Sequence, residues 1–250
     1  MSVHLPRLGD DPASPFPEVS TSLRRPDGLL AFGGDLAPRR LLNAYAQGIF
    51  PWYSQGQPLL WWSPDPRMVF RSDGVRLSSR LRRSLRRSPW TVRADTAFAA
   101  VVQACASAPR RGQDGTWITR EMQAAYAELH RLGHAHSVEV YHDDHLVGGL
   151  YGVALGRMFF GESMFSGASG GSQTALAALA HRLRGWGWPL IDAQVRNPHL
   201  ARLGAEAWPR AGFIARIREL VAGPAATGPW TSAFGSLPAN VLGRAAEGRA

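Results

Sequence analysis

Ser137-Val138-Glu139-Val140-Tyr141, His142-Asp143-Asp144-His145 and Leu146-Val147-Gly148-Gly149-Leu150-Tyr151-Gly152-Val153-Ala154 run consecutively. β-Branched and aromatic residues on both sides of an acidic turn predict an antiparallel hairpin. A further strand starts at Arg157-Met158-Phe159-Phe160, after Gly156. The Gly/Ser-rich loop 166–172 then opens a helix over 173–184, with Ala175, Leu176, Leu179 and Leu183 inward, and 189–195 returns as a strand. A helical turn follows over 200–203. Before the hairpin, 118–132 places Ile118, Met122, Ala125, Tyr126 and Leu129 on one helical face, and Gly133 ends it. Helix, antiparallel strands, helix, strand is the order of an α/β (α+β) domain with a mixed sheet.

Further upstream the chain changes character. Gly and Pro are spread through the first 70 residues, as in a small, loop-rich α+β domain. Within it, 38–47 reads as a short helix with Leu41, Leu42 and Tyr45 inward and Gly48 beyond its end. An aromatic cluster follows (Phe50, Trp52, Tyr53, Trp61, Trp62), and Ser63-Pro64-Asp65-Pro66 marks a junction. The reading divides the chain into a small domain over 1–65, a larger one over 66–222 and a mobile Gly/Ala/Pro-rich tail over 223–250.

The 250 residues carry a net charge of +9, an apolar share of 45% and one cysteine, Cys105. A core is affordable on that share, and an internal disulfide or cysteine-rich zinc site is excluded. No apolar run reaches the roughly 18–20 residues of a membrane span, and the start lacks a secretory apolar stretch; a cytoplasmic protein is expected. All 28 basic residues are arginine. Without lysine there is no Walker A loop and no Schiff base. Position therefore says more than number. Residues 76–87 read as a helix with Leu77, Leu81 and Leu85 on one stripe and Arg80, Arg82, Arg83, Arg86 and Arg87 over the rest. No acid interrupts the run between Asp73 and Asp95, which points to a phosphate backbone as partner.

Generic catalytic motifs fail. Gly161-Glu162-Ser163-Met164-Phe165 lacks the second glycine of a nucleophile elbow, and His134 and His136 have no third ligand nearby, so a structural role is favoured. The loop 167–172 offers backbone N–H groups to an anion, a signal too common to decide anything. More specific is Ile191-Asp192-Ala193-Gln194-Val195. Asp192 and Gln194, two apart on a strand, share a face, and Ile191 and Val195 point the other way. A carboxylate beside an amide can position an amine or stabilise an oxyanion; two satisfied polar residues on a strand have the same spacing.

Seven ordered blocks resolve the ambiguity: Gly48-Ile49-Phe50-Pro51-Trp52-Tyr53; Trp61-Trp62-Ser63-Pro64-Asp65-Pro66-Arg67; Gly115-Thr116-Trp117-Ile118-Thr119; Gly133-His134-Ala135-His136-Ser137-Val138-Glu139; Gly148-Gly149-Leu150-Tyr151-Gly152; Gly161-Glu162-Ser163-Met164-Phe165-Ser166; and Ile191-Asp192-Ala193-Gln194. Over about 28–213 the chain resembles the bacterial leucyl/phenylalanyl-tRNA–protein transferases. The resemblance implies a small N-terminal domain and a larger acetyltransferase-like (GNAT-like) domain. It implies transfer of Leu or Phe, less readily Met, from aminoacyl-tRNA to acceptor proteins with N-terminal Arg or Lys, marking them for N-end rule degradation. Its acid and amide fall on Asp192 and Gln194, its substrate-site glutamate on Glu162, and its adenosine-stacking aromatics on Trp52 and Trp117. An aminoacyl ester is already activated, so no ATP, metal or redox cofactor is expected. Leu150, Met164, Leu179 and Leu183 are candidates for a shallow apolar aminoacyl pocket, and Arg82, Arg83, Arg86 and Arg87 for tRNA contacts. A monomer is the default. The sequence departs from the family where Leu179 and Leu183 stand in place of frequent phenylalanines and where Gln173 follows Ser172 in place of a lysine. An acetyl-CoA-dependent N-acetyltransferase and a non-catalytic RNA-binding protein are the rival readings.

Overall fold

The computed structural model describes residues 5–108, 117–223 and 228–244. A small sheet comes first: β1 (Arg7–Leu8), β2 (Leu29–Gly33), β3 (Phe50–Pro51) and β4 (Leu60–Trp62) lie in the order β1-β2-β4-β3. Between β2 and β3 runs α1 (Pro38–Ala46), with Pro at its first position and Leu41 and Tyr45 fully buried.

The second sheet is built from β5 (Arg67–Arg71), β6 (Thr91–Ala94), β7 (Ala135–His142), β8 (His145–Leu155), β9 (Met158–Ser166), β10 (Leu190–Gln194), β11 (Glu206–Trp208) and β12 (Leu237–Pro238), in the order β11-β5-β10-β9-β8-β7-β6-β12. Its helices are α2 (Ser79–Leu85), α3 (Phe98–Ser107), α4 (Arg120–Arg131), α5 (Gly171–Gly185), α6 (Pro198–Arg202), α7 (Arg210–Val221), α8 (Thr231–Phe234) and α9 (Asn240–Arg244). Among the described strands of this second sheet only the β9–β10 pair is parallel, as a strand–helix–strand crossover through α5 requires. The mixed α+β architecture expected from the element order is therefore present.

Strand alternation divides the apolar residues between two faces. Tyr151 and Phe160 face a cluster filled by α1, α3, α4 and α7, which also takes in the small sheet. Leu150 and Phe159 face a cluster filled by α2, α5, α8 and α9. The first turn of α5 lies almost on β8: a Cβ at Gly148 would come within 2.4 Å of the Gly171 backbone, so no larger residue fits.

Two expectations change. The arginine helix is α2, shorter than 76–87, because the Ser78 hydroxyl accepts the Leu81 N–H and sets its start. The mobile tail is, over its described residues, part of the fold. β12 pairs with β6, Phe234 and Leu242 are buried, and Trp230 stacks on the His136 ring at 4.0 Å. Burying Trp230 and Phe234 outweighs what the tail's Gly/Ala/Pro-rich composition suggested. The same His136 ring has its Nδ1 2.8 Å from Asp95 Oδ2. Among the described residues no three His, Cys, Asp or Glu side chains gather as a metal site, and no helix is long and apolar enough to cross a membrane.

Candidate active site

β9 and β10 pair only as far as Phe160 and Asp192; beyond that point β9 continues alongside β8 alone. The strands part where Glu162 and Gln194 project, and a cleft opens past the ends of the parallel pair.

Asp192 is fully buried. Arg67, at the start of β5 and equally buried, holds it through both oxygens, Nε to Oδ1 at 2.8 Å and Nη2 to Oδ2 at 2.6 Å. This is the bidentate fork that planar guanidinium and carboxylate groups favour. The guanidinium lies between the Phe50 and Phe213 rings, at 4.7 and 4.9 Å. Its remaining Nη1 donates to the Gly48 carbonyl at 2.9 Å. Gly48 has φ +71°, and a Cβ there would strike Ile214, so the carbonyl is aimed inward by a position only glycine fits.

Asp192 Oδ1 also accepts the Gln194 backbone N–H at 2.9 Å. A bulge against β5 separates the two residues, and Gln194 sits at φ +60°. Simple alternation therefore stops at Asp192, and the bulge re-aims the next polar side chain, a common use of bulges beside active sites. Gln194 Nε2 lies 2.9 Å from Glu162 Oε1.

Glu162 is enclosed by two tyrosines. Tyr45 from α1 reaches Oε1 and Tyr126 from α4 reaches Oε2, each at 2.7 Å, and the two hydroxyls are 2.5 Å apart. Three oxygen-to-oxygen contacts close a ring. With Glu162 ionised, two hydroxyl protons serve three contacts; with Glu162 protonated, each contact has its own proton. Burial pushes the Glu162 carboxyl up, and the charge of Asp192 adds to the push. Tyr45, Tyr126 and Gln194 pull against it, leaving the group at about 7. Both tyrosines are raised well above their usual range, by burial first and by the Glu162 charge next.

One cavity reaches this centre and a second adjoins it. The smaller, of about 250 Å³, is lined by Glu162 and Gln194 with Phe50, Trp52, Trp117 and Asn197. The larger, of about 820 Å³, shares Trp52 and Trp117 and continues outward past Trp62 and Arg120. Asp192, Gln194, Glu162, Trp52 and Trp117 are thus brought together; Gly115 and Thr116 lie outside the described residues. Leu150, Leu179 and Leu183 line neither cavity. They are buried between the sheet and α5, with Met164 half-buried against them on the part of β9 that β10 has left. Arg83, Arg86 and Arg87 are exposed and Arg82 is half-buried; Arg86 Nε donates to the Gly243 carbonyl at 3.1 Å.

Arg67, Tyr45 and Tyr126 were not singled out as site residues in the sequence. Arg67 opens an otherwise apolar run, Met68-Val69-Phe70, and a charge there needs a buried partner. Tyr45 and Tyr126 were expected inward, and a buried tyrosine hydroxyl needs one too.

An orienting ion pair, an amide at a strand split, a protonatable glutamate and two tryptophans at the mouth make up a centre suited to acyl transfer onto an amine. The comparisons define the class further. The leucyl/phenylalanyl-tRNA protein transferase family model matches residues 69–218, and the model of that family's N-terminal domain matches 34–65. The leucyl/phenylalanyl-tRNA–protein transferase of Xanthomonas axonopodis pv. citri is 66% identical over 98% of this chain and 99% of its own length. That of Xanthomonas euvesicatoria pv. vesicatoria is 67% identical over 94% of each. That of Xylella fastidiosa is 62% identical over 91% and 94%. The chain belongs to the leucyl/phenylalanyl-tRNA–protein transferase family, and it is an aminoacyltransferase.

Proposed function

We propose that this enzyme moves Leu or Phe, and Met less readily, from its tRNA to the α-amino group of proteins beginning with Arg or Lys. The product is marked for N-end rule degradation. The observation that carries this reading is the Gln194–Glu162 contact at the wall of a cavity framed by Trp52 and Trp117.

The terminal adenosine stacks at the two tryptophans, a contact worth roughly 1–3 kcal/mol per base. The amine nitrogen attacks the ester carbonyl, a C–N bond forms, the C–O bond to the ribose breaks, and the ribose oxygen takes a proton. With its nitrogen committed to Glu162, the Gln194 amide presents its oxygen to the incoming amine. Asp192, enclosed by Arg67, acts as a positioning residue that fixes Gln194. Glu162 at about 7 lies close to the roughly 7.7–8.0 of an α-amino group, which suits proton exchange with it. It also offers a carboxyl group to a cationic first residue.

The acyl side chain enters where β9 and β10 part, moving the flexible Met164 aside to reach Leu150, Leu179 and Leu183. Leucines in place of larger aromatic side chains widen that pocket toward Phe. Arg82, Arg83, Arg86 and Arg87 meet the tRNA backbone. The working form is a cytoplasmic monomer that needs no cofactor.

The test uses purified protein, labelled Phe-tRNA and peptides beginning with Arg, Lys or acetylated Arg. Label in the first two peptides alone is expected. A requirement for acetyl-CoA, or tRNA binding without transfer, would overturn the reading.

A further inference from the structure

The smaller cavity already holds the reacting groups, yet the space beyond Trp52 and Trp117 is more than three times its volume. That outer cavity has an aromatic wall and a polar rim. Trp62 lines it, its indole N–H turned away to the Trp52 carbonyl at 2.6 Å. The part of Trp62 that remains for contact is therefore π surface. Gln55, Gln57 and Gln123 supply amides that can donate and accept. Among the described residues lining it, Arg120, at the start of α4, is the charged side chain; the lining Tyr53 donates its hydroxyl to Glu121 Oε2 at 3.1 Å.

This chemistry separates the two macromolecules that have to meet at the centre. A protein beginning with Arg or Lys brings cationic groups, which a wall whose charged lining residue, among those described, is an arginine disfavours. A nucleotide brings a flat base for an indole, polar edges for amides and a phosphate for a guanidinium. The outer cavity also continues directly from the tryptophans at which the terminal adenosine is placed, and the strand preceding that adenosine has to leave by some route.

We propose that the outer cavity is a second nucleotide subsite, taking the cytidine that precedes the terminal adenosine, with its base against Trp62 and its phosphate beside Arg120. The proposal rests on the reading of the enzyme as a user of aminoacyl-tRNA. It leaves the acceptor protein to approach from the Glu162 and Gln194 side.

The test compares two donors, the phenylalanyl ester of adenosine and that of cytidylyl-adenosine, in the intact protein and in Trp62→Leu and Arg120→Gln. One base stack corresponds to a preference of about 10- to 100-fold in kcat/KM for the dinucleotide ester. Trp62→Leu should remove most of it, and Arg120→Gln a smaller part with use of the adenosine ester retained. Because Trp62 also anchors the Trp52 backbone, Arg120→Gln is the cleaner variant. Arg120→Gln should also flatten the salt dependence of the dinucleotide ester alone. Equal use of the two esters by the intact protein, or equal losses on both in Arg120→Gln, would overturn the subsite. A rise in KM confined to the acceptor peptide would assign the cavity to the protein substrate instead. If neither ester nor Phe-tRNA is used by the intact protein, the transferase reading itself fails, an outcome distinct from loss of the dinucleotide advantage alone.

Discussion

Arg67 and Asp192, 125 residues apart, form a two-pronged ion pair from which both side chains exclude solvent completely. Removing one partner strands the other's charge in the core, at a cost of about 3–5 kcal/mol. Arg67→Met should therefore lower the urea midpoint sharply. Arg67→Met with Asp192→Leu should recover most of that stability, since an apolar pair fills the site without a desolvated charge. Transfer should stay low in the double variant, because nothing then holds the Gln194 N–H. Recovery of turnover along with stability would show that the pair serves only the core.

Gln194 gives the opposite separation. Its φ of +60° is strained for a side-chain-bearing residue by roughly 1–2 kcal/mol. Gln194→Gly should keep or raise the melting temperature while turnover falls by about 100-fold, the scale of losing one hydrogen bond that positions the reacting amine. Binding of charged tRNA should change little. Parallel loss of tRNA affinity and turnover would count against a role in the chemical step.

Glu162 sets a pH dependence whose sign follows from linkage. Its carboxyl lies at about 7 in the fold against an ordinary 4.5, so between those values the folded protein holds a proton that the unfolded chain has released. Stability contributed by this group should fall as pH rises from about 4.5 to 7 and level off above. The span is of order 3 kcal/mol. Glu162→Gln should flatten that slope, read from denaturation midpoints at a series of pH values. A slope unchanged by the substitution would place the titration elsewhere.

The arginines of α2 separate in their expected effects. Arg83 and Arg87 are exposed, and Arg83→Ala with Arg87→Ala should weaken tRNA binding and reduce its salt slope by about 1–2 while leaving the melting temperature unchanged. Arg86 ties α2 to α9 through Gly243, so Arg86→Ala should also lower the melting temperature. An unaltered salt slope in the double variant would make this an ordinary solvated helix.

Much of the frame was legible because its elements satisfy local rules. The hairpin of β7 and β8 follows from alternation around an acidic turn, and α1, α4 and α5 from apolar spacing with glycine or proline at their ends. Asp192, Gln194 and Glu162 could be named through family blocks, and the structure places all three at one strand split. Their partners were hidden because the contacts that define them are distant in sequence. Nothing near Asp192 announces Arg67, and helical periodicity treats Tyr45 and Tyr126 as apolar. The C-terminal strand was invisible for a related reason: β12 is two residues long and exists because β6 offers it an edge. The bulge at Ala193 likewise depends on register against β5, which one strand's sequence does not carry.

The span between Tyr45 and Glu162 also governs when the enzyme comes into being. These two meet across 117 residues, and the Gln194 amide joins them only after β10 has been made. On a ribosome, the first three-quarters of the chain emerges with its tryptophans and tyrosines but without the amide that completes the centre. A chain that stops short of β10 therefore has Tyr45 and Glu162 but no amide to set beside them.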